Sequence, residues 1–163
     1  MRKEKQKSQY SVISTEIITE KTKERELLVK LYRCNIELPI TLLQLKAMID
    51  EYRIDISAAG INTPEIIDSA ISADAIRYTT ENCGSNLIEL GFSFETFGRF
   101  IPQINQILDQ LTIAVNSKLM IDPHPKNFVF GNGEAYFVDI FPPYSVQYNE
   151  IRNSIATPKA QVV

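Results

Sequence analysis

Three oxygen-bearing side chains share one short stretch of this sequence. Asp122 is followed five positions later by Asn127, and Asp139 comes twelve positions after that. Between the last two lie aromatic-rich runs, Phe128-Val129-Phe130 and Tyr136-Phe137, around Asn132-Gly133, a strong hairpin signal. With Asn132 and Gly133 as the turn, Phe128 pairs with Phe137 and Asn127 faces Val138. Asn127 and Asp139 then sit together at the open end of the hairpin. Asp122 precedes them on a loop stiffened by Pro123 and Pro125. Oxygen ligands of this kind suit Mg²⁺, which takes one or two carboxylates and completes its sphere with substrate phosphates. Each residue also has a plainer use: Asp122 as an Asx-type turn former, Asn127 as a loop cap, Asp139 as a strand terminator.

Other chemistries are squeezed out by the inventory. His124 is the single histidine, and Cys34 and Cys83 lie far apart with no CxxC or Cys/His cluster, so a structural zinc site is not expected. His124, between two prolines, reads as a hydrogen-bonder that pins the loop rather than as a base. The 163 residues are 44% hydrophobic and 23% charged, the balance of one globular domain. A net charge of −3 lacks the basic excess of a nucleic-acid binder, so no nucleic-acid partner is expected. No apolar run approaches the ~20 residues that span a bilayer, and no signal peptide follows the basic start, so the expected setting is cytoplasmic with no membrane partner. Residues 1–10 read as a basic frayed tip.

The elements that must position these groups can be read upstream. Ser11–Thr19 and Glu26–Tyr32 are two strands joined by the charged connector Glu20–Arg25. A helix is expected from Pro39 as its first residue, with Ile40, Leu42, Leu43, Leu45, Met48 and Ile49 on its apolar face. Glu65–Ser72 and Ala75–Thr80 are two further strands, and the turn-rich Asn82–Asn86 is the main boundary. Phe97, Ile101, Ile104, Leu108, Leu111 and Val115 recur at helical spacing and are expected to form a core stripe, with Pro102 starting the continuous helix. Lys30, inside an apolar strand, is open to two readings: a phosphate ligand or an edge-strand gatekeeper.

Asp122-Pro-His-Pro-Lys-Asn127, followed by the hairpin and Asp139, resembles the catalytic loop and metal-binding aspartate of the protein-kinase-like superfamily. The nearest variants are the aminoglycoside/choline-type phosphotransferases and the atypical kinases of ubiquinone biosynthesis. The upstream order fits the same resemblance over residues 11–143: Lys30 stands where the V-A-I-K lysine would, and the helix from Pro39 where the αC helix would, with Glu51 as the candidate partner of Lys30. Ala75–Thr80 followed by Glu81-Asn82-Cys83 is similar to the last N-lobe strand and its nucleotide-facing hinge.

The resemblance implies an α+β, two-lobed kinase-like fold. Residues 11–82 would form an N-lobe-like sheet with one helix. Residues 83–163 would form a shortened helical C-lobe holding the catalytic segment 120–143. It implies ATP and Mg²⁺ as cofactors, Lys30 on the α/β-phosphates, Glu51, Glu81 and Cys83 near the nucleotide, Asn127 and Asp139 as metal ligands, and Asp122 as the residue that takes the acceptor's proton. The expected function is phosphoryl transfer to an unknown hydroxyl acceptor. The alternative is a non-catalytic, pseudokinase-like nucleotide binder or interaction module. It is favoured by the glycine-free connector Glu20–Arg25, by Met120 and Phe141 at the positions of the loop histidine and the DFG glycine, and by the 20 residues after Pro143, too few for further C-lobe helices. The expected protein partner is a second copy or a larger protein, met through the C-lobe face.

Overall fold

The computed structural model describes residues 3–6, 13–21, 25–34 and 41–142. The chain is α+β, with antiparallel sheets and two α-helices among the described residues. It divides into two compact units at Asn82/Cys83 and again inside the first helix: residues 1–48 and 65–82 belong to one unit, and 49–64 and 83–143 to the other. No helix among the described residues is long and apolar enough to cross a membrane.

The first unit is built on a five-stranded sheet. Its strands are β1 (Lys3–Gln6), β2 (Ile13–Lys21), β3 (Glu26–Cys34), β4 (Ile66–Ile71) and β5 (Ala75–Glu81), in the order β1-β2-β3-β5-β4. The strand β1 corrects the expectation of a frayed tip. Lys-Glu-Lys-Gln has no apolar face to signal a strand, yet its backbone pairs with the edge of β2, Lys3 opposite Ile18. The strand β3 is central, which removes the gatekeeper reading of Lys30. Lys30 pairs directly with Ile17 on one side and Tyr78 on the other, so these three side chains share a face. On that face Tyr32 and Tyr78 meet edge to face, 6.1 Å between centroids, and the Lys46 ammonium lies 5.4 Å from the Tyr78 ring centroid.

Lys46 belongs to α1 (Leu42–Ala58). The helix starts later than the sequence suggests. Pro39 lies outside the described residues, and the cap is Thr41: its Oγ accepts from Gln44 N at 3.2 Å while Gln44 Oε1 accepts from Thr41 N at 2.9 Å. This reciprocal pair is a capping box, legible as Thr-x-x-Gln.

The second unit holds the last turns of α1, the short β6 (Ser85–Asn86), a 3-10 turn over Phe97–Phe100, α2 (Ile101–Asn116), β7 (Phe128–Gly131) and β8 (Glu134–Phe137). Asn132 and Gly133 both have positive φ, 53° and 84°, as a two-residue turn matched to strand twist requires. The turn fixes the register Phe128↔Phe137 through Gly131↔Glu134. Phe128 and Phe137 are fully buried, rings 5.3 Å apart, in a core with Ile56, Ile61, Leu87, Phe100, Ile107 and Ala114.

That core corrects the expected stripe of α2. Phe97, Ile101, Leu108 and Val115 are exposed, while Phe100, Ile107 and Ala114 face inward. Both rows are apolar, and periodicity alone does not choose between them. The hairpin does: Gln106 Nε2 donates to Gly133 O at 2.8 Å and buried Gln110 donates to Ala135 O, so the helix turns its 107–114 side to β8.

Candidate functional site

The site grows from the open end of the hairpin, within the second unit. Past β7 and β8 the pairing continues by one rung, Val138 N donating to Asn127 O at 2.8 Å, which sets Asn127 beside the residue preceding Asp139. The other arm is the proline-stiffened loop. Asp122 Oδ1 accepts from His124 N at 3.0 Å, closing an Asx turn. His124 Nδ1 accepts from Lys126 N at 3.2 Å, and His124 O from Asn127 N at 2.8 Å, so the histidine caps the 3-10 turn Pro125–Asn127. With Nδ1 accepting, the neutral ring carries its proton on Nε2. Asn127 Nδ2 then reaches back to Asp122 O at 3.4 Å, leaving Oδ1 as the acceptor atom of that amide. Asp139 Oδ1 accepts from Phe141 N at 3.2 Å, a second Asx turn.

The plainer uses of both aspartates are therefore real, and each turn fixes a carboxylate in place. Asp122 is exposed and Asn127 and Asp139 are half-buried. Among the described residues no group of three His, Cys, Asp or Glu side chains is placed to hold a metal ion. The donor set here is mixed, two carboxylates and an amide, all oxygen. That chemistry fits Mg²⁺ bound together with phosphate oxygens.

Tyr52 is the site residue that sequence reasoning missed. From α1 its hydroxyl donates to Met120 O at 2.8 Å, two positions before Asp122. Burial first, and then the carboxylates of Asp139 and Asp122, push the Tyr52 hydroxyl well above the ordinary tyrosine range. The hydrogen bond ties α1 to the loop that leads into Asp122. No sequence spacing signals this contact, because the partner is a backbone carbonyl far along the chain.

Tyr52→Phe is expected to lower stability by ~1 kcal/mol at neutral pH through the lost hydrogen bond. The raised pKa means the folded unit favours the neutral phenol, so that contribution is full below the ordinary tyrosine pKa of about 10 and fades as pH rises above it. Denaturant midpoints of wild type and variant should therefore converge toward about pH 11. A constant gap would contradict the assignment.

The remaining candidates are placed as follows. Lys30 is half-buried in β3. Glu51 is exposed on α1. Glu81 is exposed at the end of β5, paired with Arg25 at 2.9 Å. Cys83 is half-buried and in no disulfide. A cavity of about 240 Å³, lined by Leu90, Gln103, Gln106, Phe130, Gly131 and Gly133, opens at the turn end of the hairpin, the end away from the aspartates. No family model and no curated protein matches the chain.

Proposed function

We propose that the chain is an ATP- and Mg²⁺-dependent phosphotransferase of the protein-kinase-like type, acting on a hydroxyl acceptor. The observation that carries this reading is the adjacency of Asn127 to both arms at the open end of one hairpin, its Nδ2 donating to Asp122 O at 3.4 Å and its carbonyl accepting from Val138 N, the residue before Asp139, at 2.8 Å. Asp139 and Asn127 would hold Mg²⁺, which supplies charge neutralisation on the nucleotide phosphates. Asp122 orients the acceptor hydroxyl and takes its proton as the oxygen bonds to the γ-phosphorus and the bond to ADP breaks. The role of Lys30 as the cation for the α/β-phosphates rests on the resemblance alone; the residue lies half-buried in the central strand of the first unit.

A second reading, a non-catalytic nucleotide binder or interaction module, is favoured by the absence of glycine from residues 20–25. Turnover separates the two. Wild-type protein with radiolabelled ATP and Mg²⁺ is expected to show slow hydrolysis or self-phosphorylation, reduced by ~10²-fold or more in Asp122→Ala. Magnesium-dependent nucleotide binding without turnover selects the second reading. No binding removes both.

A further inference from the structure

The outer edge of β8 is met by groups from other elements rather than by a further strand. In the sheet β6-β7-β8 this strand lies at the edge. Gly133 O accepts from Gln106 Nε2 at 2.8 Å, Ala135 O accepts from Gln110 Nε2, and Phe137 N donates to Asn62 O at 2.8 Å. These three residues alternate along the chain, so their outward backbone groups line one edge. The rung between Val138 and Asn127 carries the alternation on. Asp139 is its next residue.

Gln110 is the unusual member of this series. It is 6% exposed and stands between Ile107 and Ala114 on the inner side of α2, where its neighbours belong to the apolar core. Its Nε2 donates to the carbonyl of Ala135, itself buried, while its Oε1 has no hydrogen-bond partner among the described residues. A buried acceptor left unpaired is unfavourable. An apolar side chain of like size would remove that orphan but leave Ala135 O without its donor, so the exchange is close to neutral for folding. What the glutamine adds is position: it fixes α2 against the strand that leads to Asp139. A polar group held in a core at no clear gain in stability is a mark of residues kept for a site.

We propose that Gln110 is a positioning residue, holding the edge of β8 so that the Asp139 carboxylate keeps the place in which it would bind Mg²⁺. The metal half of this inference rests on the phosphotransferase reading above; the positional half rests on the hydrogen bonds alone. Groups that stand behind metal ligands orient them, and losing one typically costs about 10–100-fold in metal affinity. Gln106 acts on the same edge but at the turn, farther from Asp139. Asn62 contributes a backbone carbonyl, which no substitution there removes. Gln110 is therefore the side chain on this edge through which the position of Asp139 can be changed.

Gln110→Met keeps the length of the side chain and removes the donor. In the full chain its melting temperature should stay close to that of wild type, while hydrogen exchange at the Phe137 and Phe141 amides, followed by NMR, quickens several-fold. The Phe141 amide reports on Asp139 directly, because Asp139 Oδ1 accepts from it at 3.2 Å. In titrations of ATP binding the Mg²⁺ midpoint should rise about tenfold or more, with ATP affinity in chelator unchanged. A residue that only supports folding would lower the melting temperature and leave that split unmoved. Phe141 exchange equal to wild type overturns the proposal, as does an unchanged Mg²⁺ midpoint in a chain that binds Mg-ATP. If wild type binds no ATP, the phosphotransferase reading falls by itself, and Phe141 exchange still decides whether Gln110 positions Asp139. If Gln110→Met fails to fold, Gln110→Leu decides by the same readouts. Failure of both to fold assigns Gln110 to folding and overturns the proposal.

Discussion

Gly131→Ala is expected to be strongly destabilising, and Gly84→Ala at least as much. The backbone of Cys83-Gly84 crosses that of Phe130-Gly131 so closely that a Cβ on Gly131 would overlap the Cys83 carbonyl oxygen and stand 2.9 Å from its carbon. A Cβ on Gly84 would overlap the Phe130 carbonyl in turn, 2.6 Å from its carbon, at a φ of +130° that disfavours any side chain. The obstructing atoms are backbone, so no side chain can swing aside. Relief means pulling β6 from β7 at the Ser85↔Phe130 rung. Overpacking usually costs ~1–3 kcal/mol, and a clash with rigid backbone belongs at or above the top of that range. Against a total stability of ~5–15 kcal/mol this is a large share. Gly98→Ala is the control: a Cβ there meets nothing within 4 Å, and its change should stay within ~0.5 kcal/mol. Chemical denaturation of the two variants checks the pair. Equal midpoints would contradict the close crossing.

The second large effect is functional. Asp139→Ala is expected to abolish the magnesium dependence of nucleotide binding. Asp139 is the carboxylate at the end of β8, fixed by its own Asx turn to Phe141 N at 3.2 Å, and Asn127 alone offers only a neutral amide oxygen. Removing one preorganised charge partner of a phosphoryl group costs on the order of 10²–10³ in rate where turnover occurs. The variant should still fold, because Asp139 is half-buried and outside the aromatic core. Titration of nucleotide binding with Mg²⁺ measures this directly. A variant that keeps the wild-type magnesium response would remove Asp139 from the metal site.

The hairpin that carries the candidate site was more legible in the sequence than the elements around it, and the reason is local. Asn132-Gly133 demands a two-residue turn, which sets the register of every pair back to Asn127 and Val138. Two prolines and the Asp122 turn then limit where the loop can go. The strands of the first unit announce themselves through Val, Ile and Leu. By contrast, β1 has no apolar residue and forms through backbone pairing alone. The helix α2 is apolar on two sides, so its inward face was chosen by glutamine contacts to the hairpin that no hydrophobic pattern encodes. Pro39 also makes a good helix start, although Thr41-x-x-Gln44 carries the stronger signal. Tyr52 was invisible because its partner, Met120 O, is a backbone atom brought near only by the fold.

The most direct test of the central reading is the melting temperature of the wild-type chain in ATP, with and without Mg²⁺. A ligand at about 100 times its Kd that binds only the folded state contributes ~2.7 kcal/mol, or a rise of roughly 5–10 °C for a chain of this size. The account predicts such a rise in Mg-ATP, a much smaller one in ATP with chelator, and none in Mg-ATP for Asp139→Ala. A wild-type melting temperature unmoved by any adenine or guanine nucleotide, with or without magnesium, would contradict it.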